Sequence, residues 1–190
     1  MEAFLVSTGI VALAEMGDKT QLLALVLAAR LKKPLPICLG IFAATIVNHA
    51  CAAAVGQWIT AYLGADALRW ILGISFIAMA GWMLIPDKLD DDDSGKPQRF
   101  GAFLTTLVAF FIVEMGDKTQ IATVALAAKY TSLVAVVAGT TCGMLLANVP
   151  VVYFGDRLTR LVPIKVVHII CALIFVALGL AALLNLGALL

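Results

Sequence analysis

The sequence predicts an all-α polytopic membrane protein of six transmembrane helices, arranged as two inverted three-helix repeats. Three observations carry that expectation. The 190 residues are 63% hydrophobic and 13% charged, with a mean hydropathy of +1.05, whereas a soluble domain is about half apolar and about a quarter charged. Six apolar runs, near residues 3–29, 36–63, 68–85, 100–128, 133–154 and 166–189, are each long enough to cross roughly 30 Å of hydrocarbon at about 1.5 Å per residue. Finally, Glu15-Met16-Gly17-Asp18-Lys19-Thr20-Gln21 returns letter for letter as Glu114-Met115-Gly116-Asp117-Lys118-Thr119-Gln120, 99 positions later.

The first run follows only Met1 and Glu2, without a basic leader region, so it reads as a span and not as a cleavable signal. It carries the first motif copy. The second run holds Asn48 and His49 near its middle, and the fourth holds the second motif copy. These first, second and fourth runs exceed what a perpendicular span needs, which predicts tilt or a break. Pro150 in the fifth run, two residues after Asn148, predicts a kink that aims Asn148 inward. His168 opens the sixth run and reads as interfacial, as do Trp58, Tyr62, Trp70, Trp82 and Tyr153 near span ends.

Between the third and fourth runs lies the one stretch of soluble-loop composition, with Asp90, Asp91, Asp92 and Asp93 in a row. It divides the chain into a first repeat (1–86), an acidic cytoplasmic linker (87–99) and a second repeat (100–190). The aspartate run is able to gather divalent cations, but such runs are more often simply solvated. At the same offset Gly40 matches Gly139, Gly56 matches Gly155 and Phe76 matches Phe175. Three spans per unit is an odd number, so the second copy enters the membrane from the opposite side. That is the plan of secondary transporters, with the site at the interface of the halves near the midplane.

Orientation follows from the basic residues. The loops after spans one, three and five hold Arg30, Lys32, Lys33, Lys88, Lys96, Arg99, Arg157, Arg160 and Lys165, against Arg69 and Lys129 on the other side. The odd-numbered loops are therefore cytoplasmic and both termini extracytoplasmic. A net charge of +1 with no basic, aromatic-laced cluster gives no sign of a nucleic-acid partner. Cys38, Cys51, Cys142 and Cys171 lie in apolar runs without metal-ligand spacing and read as small buried hydrophobes.

The two motifs place six charges at membrane depth. On an insertion scale each costs ~3 kcal/mol, so unpaired they would cost roughly 18 kcal/mol. That exceeds a domain's usual net stability of about 5–15 kcal/mol. They must face one another, water or a cation. On a continuous helix Glu15 and Asp18 share a face and Lys19 leans back on Glu15, with Glu114, Asp117 and Lys118 arranged likewise. If the copies meet, Glu15, Asp18, Glu114 and Asp117 form an anionic cage of hard oxygen ligands. Thr20, Thr119, Gln21 and Gln120 are possible neutral donors, and Mn²⁺, Ca²⁺ or Mg²⁺ suit such oxygens. Gly17 and Gly116 allow either close helix approach or a break that frees carbonyls. Clustered carboxylates cannot all stay ionised without a cation, so an arriving cation expels protons: the minimum chemistry of antiport. Lys19 and Lys118 either hold the acids in place or stand in for the absent cation. Asn48, His49 and Asn148 add a possible ligand or proton step. Met16 and Met115 offer thioethers, although a helix turns position 16 away from the face of 15 and 18. The bland alternative is a pair of buried ion pairs that only fix packing, and buried pairs stabilise poorly.

The doubled Glu-x-Gly-Asp-Lys-Thr, six spans and an acidic central loop resemble the Gdt-type cation exchangers, over essentially the whole chain. The resemblance implies that Glu15, Asp18, Glu114 and Asp117 line the ion site, with Lys19, Thr20, Lys118 and Thr119 completing it. It implies Mn²⁺ or Ca²⁺ as substrate, protons as counter-ion, no cofactor, and the compact bacterial form that resembles manganese exporters of the inner membrane. Two other classes compete. One is a carrier of an amino acid or other organic cation. The other is an intramembrane aspartyl protease, for which the glutamate and the lysines beside each Gly-Asp are wrong. The sequence shows no sign of covalent chemistry, so an enzyme is not expected.

Overall fold

The computed structural model describes residues 1–85, 101–155 and 164–185. The linker expected at 87–99, with its four aspartates, lies outside the described residues, as do Arg157 and Arg160. Among the described residues all regular structure is helical: α1 (Glu2–Glu15), α2 (Lys19–Leu31), α3 (Pro34–Tyr62), α4 (Ala65–Met83), α5 (Gly101–Glu114), α6 (Lys118–Lys129), α7 (Leu133–Phe154) and α8 (Ile164–Leu183).

The first and fourth apolar runs each fold as two short helices. The cause is one glycine per motif. Gly17 has φ 80° and Gly116 has φ 76°, in the left-handed region where only glycine sits without penalty. Each helix stops at its glutamate and restarts behind its aspartate. Asp18 (φ −77°, ψ 167°) and Asp117 (φ −78°, ψ 165°) are the N-caps of α2 and α6, so the break is the same twice over. The second run stays one 29-residue helix, α3, and α7 continues through Pro150.

The halves interlock. α1 packs on α7 and α5 on α3, so the helix before each break leans on the long helix of the other half, while α4 pairs with α8. Small residues set the approach. A methyl on Gly40 would stand 2.7 Å from the Thr106 Cβ and 2.8 Å from the Phe103 carbonyl oxygen. One on Gly139 would meet the Phe4 carbonyl and lie 2.9 Å from the Ser7 Cβ. Phe4 and Ser7 are the residues 99 positions before Phe103 and Thr106, so both crossings repeat the same contact, and close backbone approach is what drives helix association in lipid. Phe76 and Phe175, also matched by the offset, meet with ring centroids 6.1 Å apart.

α3, α7 and the Asp66–Met83 part of α4 are long and apolar enough to cross a membrane, with Gly101–Glu114 and His168–Leu183 as shorter apolar helices. Outward-facing side chains are largely apolar, and Trp58, Tyr62, Trp70 and Tyr153 are among the exposed ones. Tyr130 lies beyond the end of α6 and donates to Glu2 Oε1 at 3.2 Å. Burial, then that partner, pushes its hydroxyl up to about 12.

Candidate ion-binding site

Breaking the helix changes what each motif residue faces. Glu15 and Glu114 become the last residues of α1 and α5, and Asp18 and Asp117 the first caps of α2 and α6. The gap is braced from within. The Gln21 amide oxygen accepts from the Gly17 N–H at 2.9 Å, and Gln120 does the same for Gly116 at 2.9 Å. Gln21 also donates to the Ala147 carbonyl of α7 at 2.9 Å. Both glutamines, expected as neutral donors, are therefore braces of the break. The threonines orient the acids: Thr20 donates to Glu15 Oε2 at 2.5 Å and Thr119 to Glu114 Oε2 at 3.1 Å.

The two breaks meet. Ligand oxygens of Glu15, Glu114 and Asp117 lie within 4.8 Å of one another, and all three residues are buried. Asp18 is buried beside this trio's helices but is engaged by Lys118, whose Nζ lies 2.5 Å from its Oδ1. Lys19 reaches Asp117 Oδ1 at 3.4 Å. Here the structure corrects the helical-wheel expectation. Neither lysine folds back on its own glutamate; each crosses to the aspartate of the other copy. With the helix interrupted at the glycine, the one-turn spacing between glutamate and lysine no longer puts them on one face.

Of the flanking residues, Asn148 joins the site, with its Nδ2 3.5 Å from Glu15 Oε2 and 3.1 Å from the Met144 carbonyl. Asn48 does not; it donates to the Phe111 carbonyl at 3.2 Å and is a helix–helix tie. His49 is fully buried, and neither ring nitrogen has a hydrogen-bond partner among the described residues. Met115 is 61% exposed, turned away from the trio. Two residues escaped sequence reasoning. Met144 places its Sδ 2.9 Å from Asn148 Nδ2, a contact that the i, i+4 spacing of 144 and 148 would have suggested. His168, read from the sequence as interfacial, donates from Nε2 to the Met16 carbonyl at 3.1 Å and so touches the break, a contact that no sequence signal pointed to.

Three oxygens that face this region lack partners among the described residues: Glu15 Oε1, Glu114 Oε1 and Asn148 Oδ1. Buried acceptors left bare are costly, and a cation between the carboxylates would relieve that cost for Glu15 and Glu114. Carboxylate oxygens within 4.8 Å of one another suit a small cation. The aspartates, each held by an ammonium group, are not a proton-sharing catalytic pair. An all-helical fold with breaks at a buried acidic cluster defines an ion-coupled membrane carrier.

The comparisons agree. Residues 3–91 and 102–188 match the family described as "Divalent cation/proton antiporter GDT1". The chain belongs to that family, a transporter family and not an enzyme family. A Vibrio cholerae protein described as "Putative manganese exporter" is 49% identical over 182 residues, 95% of this chain and 90% of that protein. No solved structure matches.

Proposed function

We propose that this antiporter exports Mn²⁺ from the cytoplasm in exchange for protons, with Ca²⁺ as a second cargo, through Glu15, Glu114 and Asp117. The observation that carries it is the convergence of three buried carboxylates from both halves within 4.8 Å. Asp18 completes the charge balance, with Thr20, Thr119 and Asn148 orienting the ligands. Four carboxylates against two lysines leave two negative charges. One divalent cation or two protons neutralises them equally, which makes exchange of one cation for two protons the electrically silent cycle. The description of the Vibrio cholerae relative supports manganese over calcium.

The architecture we propose has six spans, with α1–α2 and α5–α6 each crossing as one broken span. Residues 1–86 and 100–190 are the inverted repeats, 87–99 is a cytoplasmic linker, and both termini lie outside the cytoplasm of a bacterial inner membrane. The excess of lysine and arginine in the odd-numbered loops supports this orientation. Glu15→Gln and Asp117→Asn should each lower Mn²⁺ flux into proteoliposomes by about 100-fold or more, since even residues behind a ligand contribute about 10–100-fold. Wild-type flux in both variants, at normal insertion, refutes the site. Flux indifferent to an imposed pH gradient refutes proton coupling.

A further inference from the structure

We propose that His49 supplies an imidazole nitrogen to the cation held by Glu15, Glu114 and Asp117, and thereby sets the preference for a transition-metal dication over Ca²⁺. This rests on reading the trio as the ion site. His49 is fully buried with both nitrogens unpartnered, and a buried polar group without a partner calls for a reason. Its position along α3 supplies one. Asn48 meets the Phe111 carbonyl near the end of α5, and Gly56, two turns on, lies against the Val124 carbonyl of α6. Residue 49 therefore lies between those levels, on the stretch of α3 that passes the break from Glu114 to Asp117.

The repeat points the same way. Position 49 corresponds to 148 at the offset of 99, and Asn148 on α7 reaches Glu15 Oε2 at 3.5 Å. His49 is thus the first half's counterpart, by the offset, of a residue already at the trio. Asn148 keeps its Nδ2 on Met144 and Glu15, which leaves Oδ1 bare. One flank of the trio then offers an amide oxygen and the other a nitrogen. An all-oxygen cage serves Ca²⁺ and Mg²⁺ as readily as Mn²⁺, whereas imidazole suits first-row transition metals and not Ca²⁺.

The test uses the purified full-length protein loaded with Mn²⁺ alone. Electron spin-echo spectra should show histidine nitrogen coupling that persists in His168→Asn and vanishes in His49→Asn. In proteoliposomes, His49→Asn should lower Mn²⁺ flux by about 10-fold or more while Ca²⁺ competes about 10-fold better than against wild type. Should His49→Asn fail to fold, nitrogen-labelled histidine in the His168→Asn protein decides alone, because His49 is then the one histidine present. Bound Mn²⁺ that Glu114→Gln abolishes but that shows no histidine coupling overturns this proposal and leaves the ion site standing. Mn²⁺ binding that survives Glu114→Gln overturns the site reading, and the proposal with it.

Discussion

Lys19 and Lys118 hold the same place in two identical heptapeptides, yet one keeps 24% of its side chain accessible and the other 1%. The first stands 3.4 Å from Asp117 and the second 2.5 Å from Asp18. The glycine φ angles (80° and 76°) and the aspartate caps match between the two breaks, so the letters of the motif do not make the difference. Its cover does. α4 packs along α6, on which Lys118 sits, while no comparable packing of α8 on α2 occurs among the described residues; there His168 reaches only the Met16 carbonyl. The heptapeptide fixes local geometry, and the packing around each copy, which the motif does not encode, fixes how accessible its lysine is. If the proposed inverted-repeat architecture holds, unequal cover of two equal motifs is how one state would differ from its mirror state.

The largest expected effect tests that cover. Lys118→Met strips a sealed partner from a buried acid and should destabilise by about 3–5 kcal/mol. Lys19→Met, whose pair is partly wet, should cost about 1 kcal/mol or less. Thermal unfolding in detergent reads both, and equal losses would break the comparison. Next come the glycines, where the copies should agree. Gly17→Ala and Gly116→Ala each force a Cβ into left-handed backbone and should cost about 1–2 kcal/mol apiece. A marked inequality would show that the breaks are not equivalent. Smallest is the glutamine pair. Gln21→Ala loses the Ala147 carbonyl as well as the Gly17 N–H, so it should exceed Gln120→Ala by about 1 kcal/mol. The same melting curves check it.

Much of this was legible in advance, for definable reasons. The doubled motif located the acids, and the offset of 99 matched Gly40 with Gly139 and Phe76 with Phe175, all of which turn out to be contact points between the halves. Asn148, matched by the offset to position 49, is buried and reaches Glu15 although its helix runs on through Pro150. What the letters concealed was pairing across the break. Helical arithmetic assumes continuous backbone, and one positive φ at Gly17 voids it, sending Lys19 to a residue 98 positions away instead of four. The bracing role of the glutamines was hidden for a similar reason, since the N–H they accept from is one that the break itself exposes. Asn48 and His49 are adjacent in sequence, but only the structure separates a tie to the Phe111 carbonyl from an imidazole with nothing to hold.

The crossed ion pairs carry a last consequence. Because each ammonium grips an acid of the opposite half, prising the halves apart while empty would strand a lysine and an aspartate in lipid at the same moment. An incoming load can relieve that grip by competing for the acids, and vacancy cannot. On the proposed exchange cycle the crossed pairs would latch the unladen carrier and so guard against slippage.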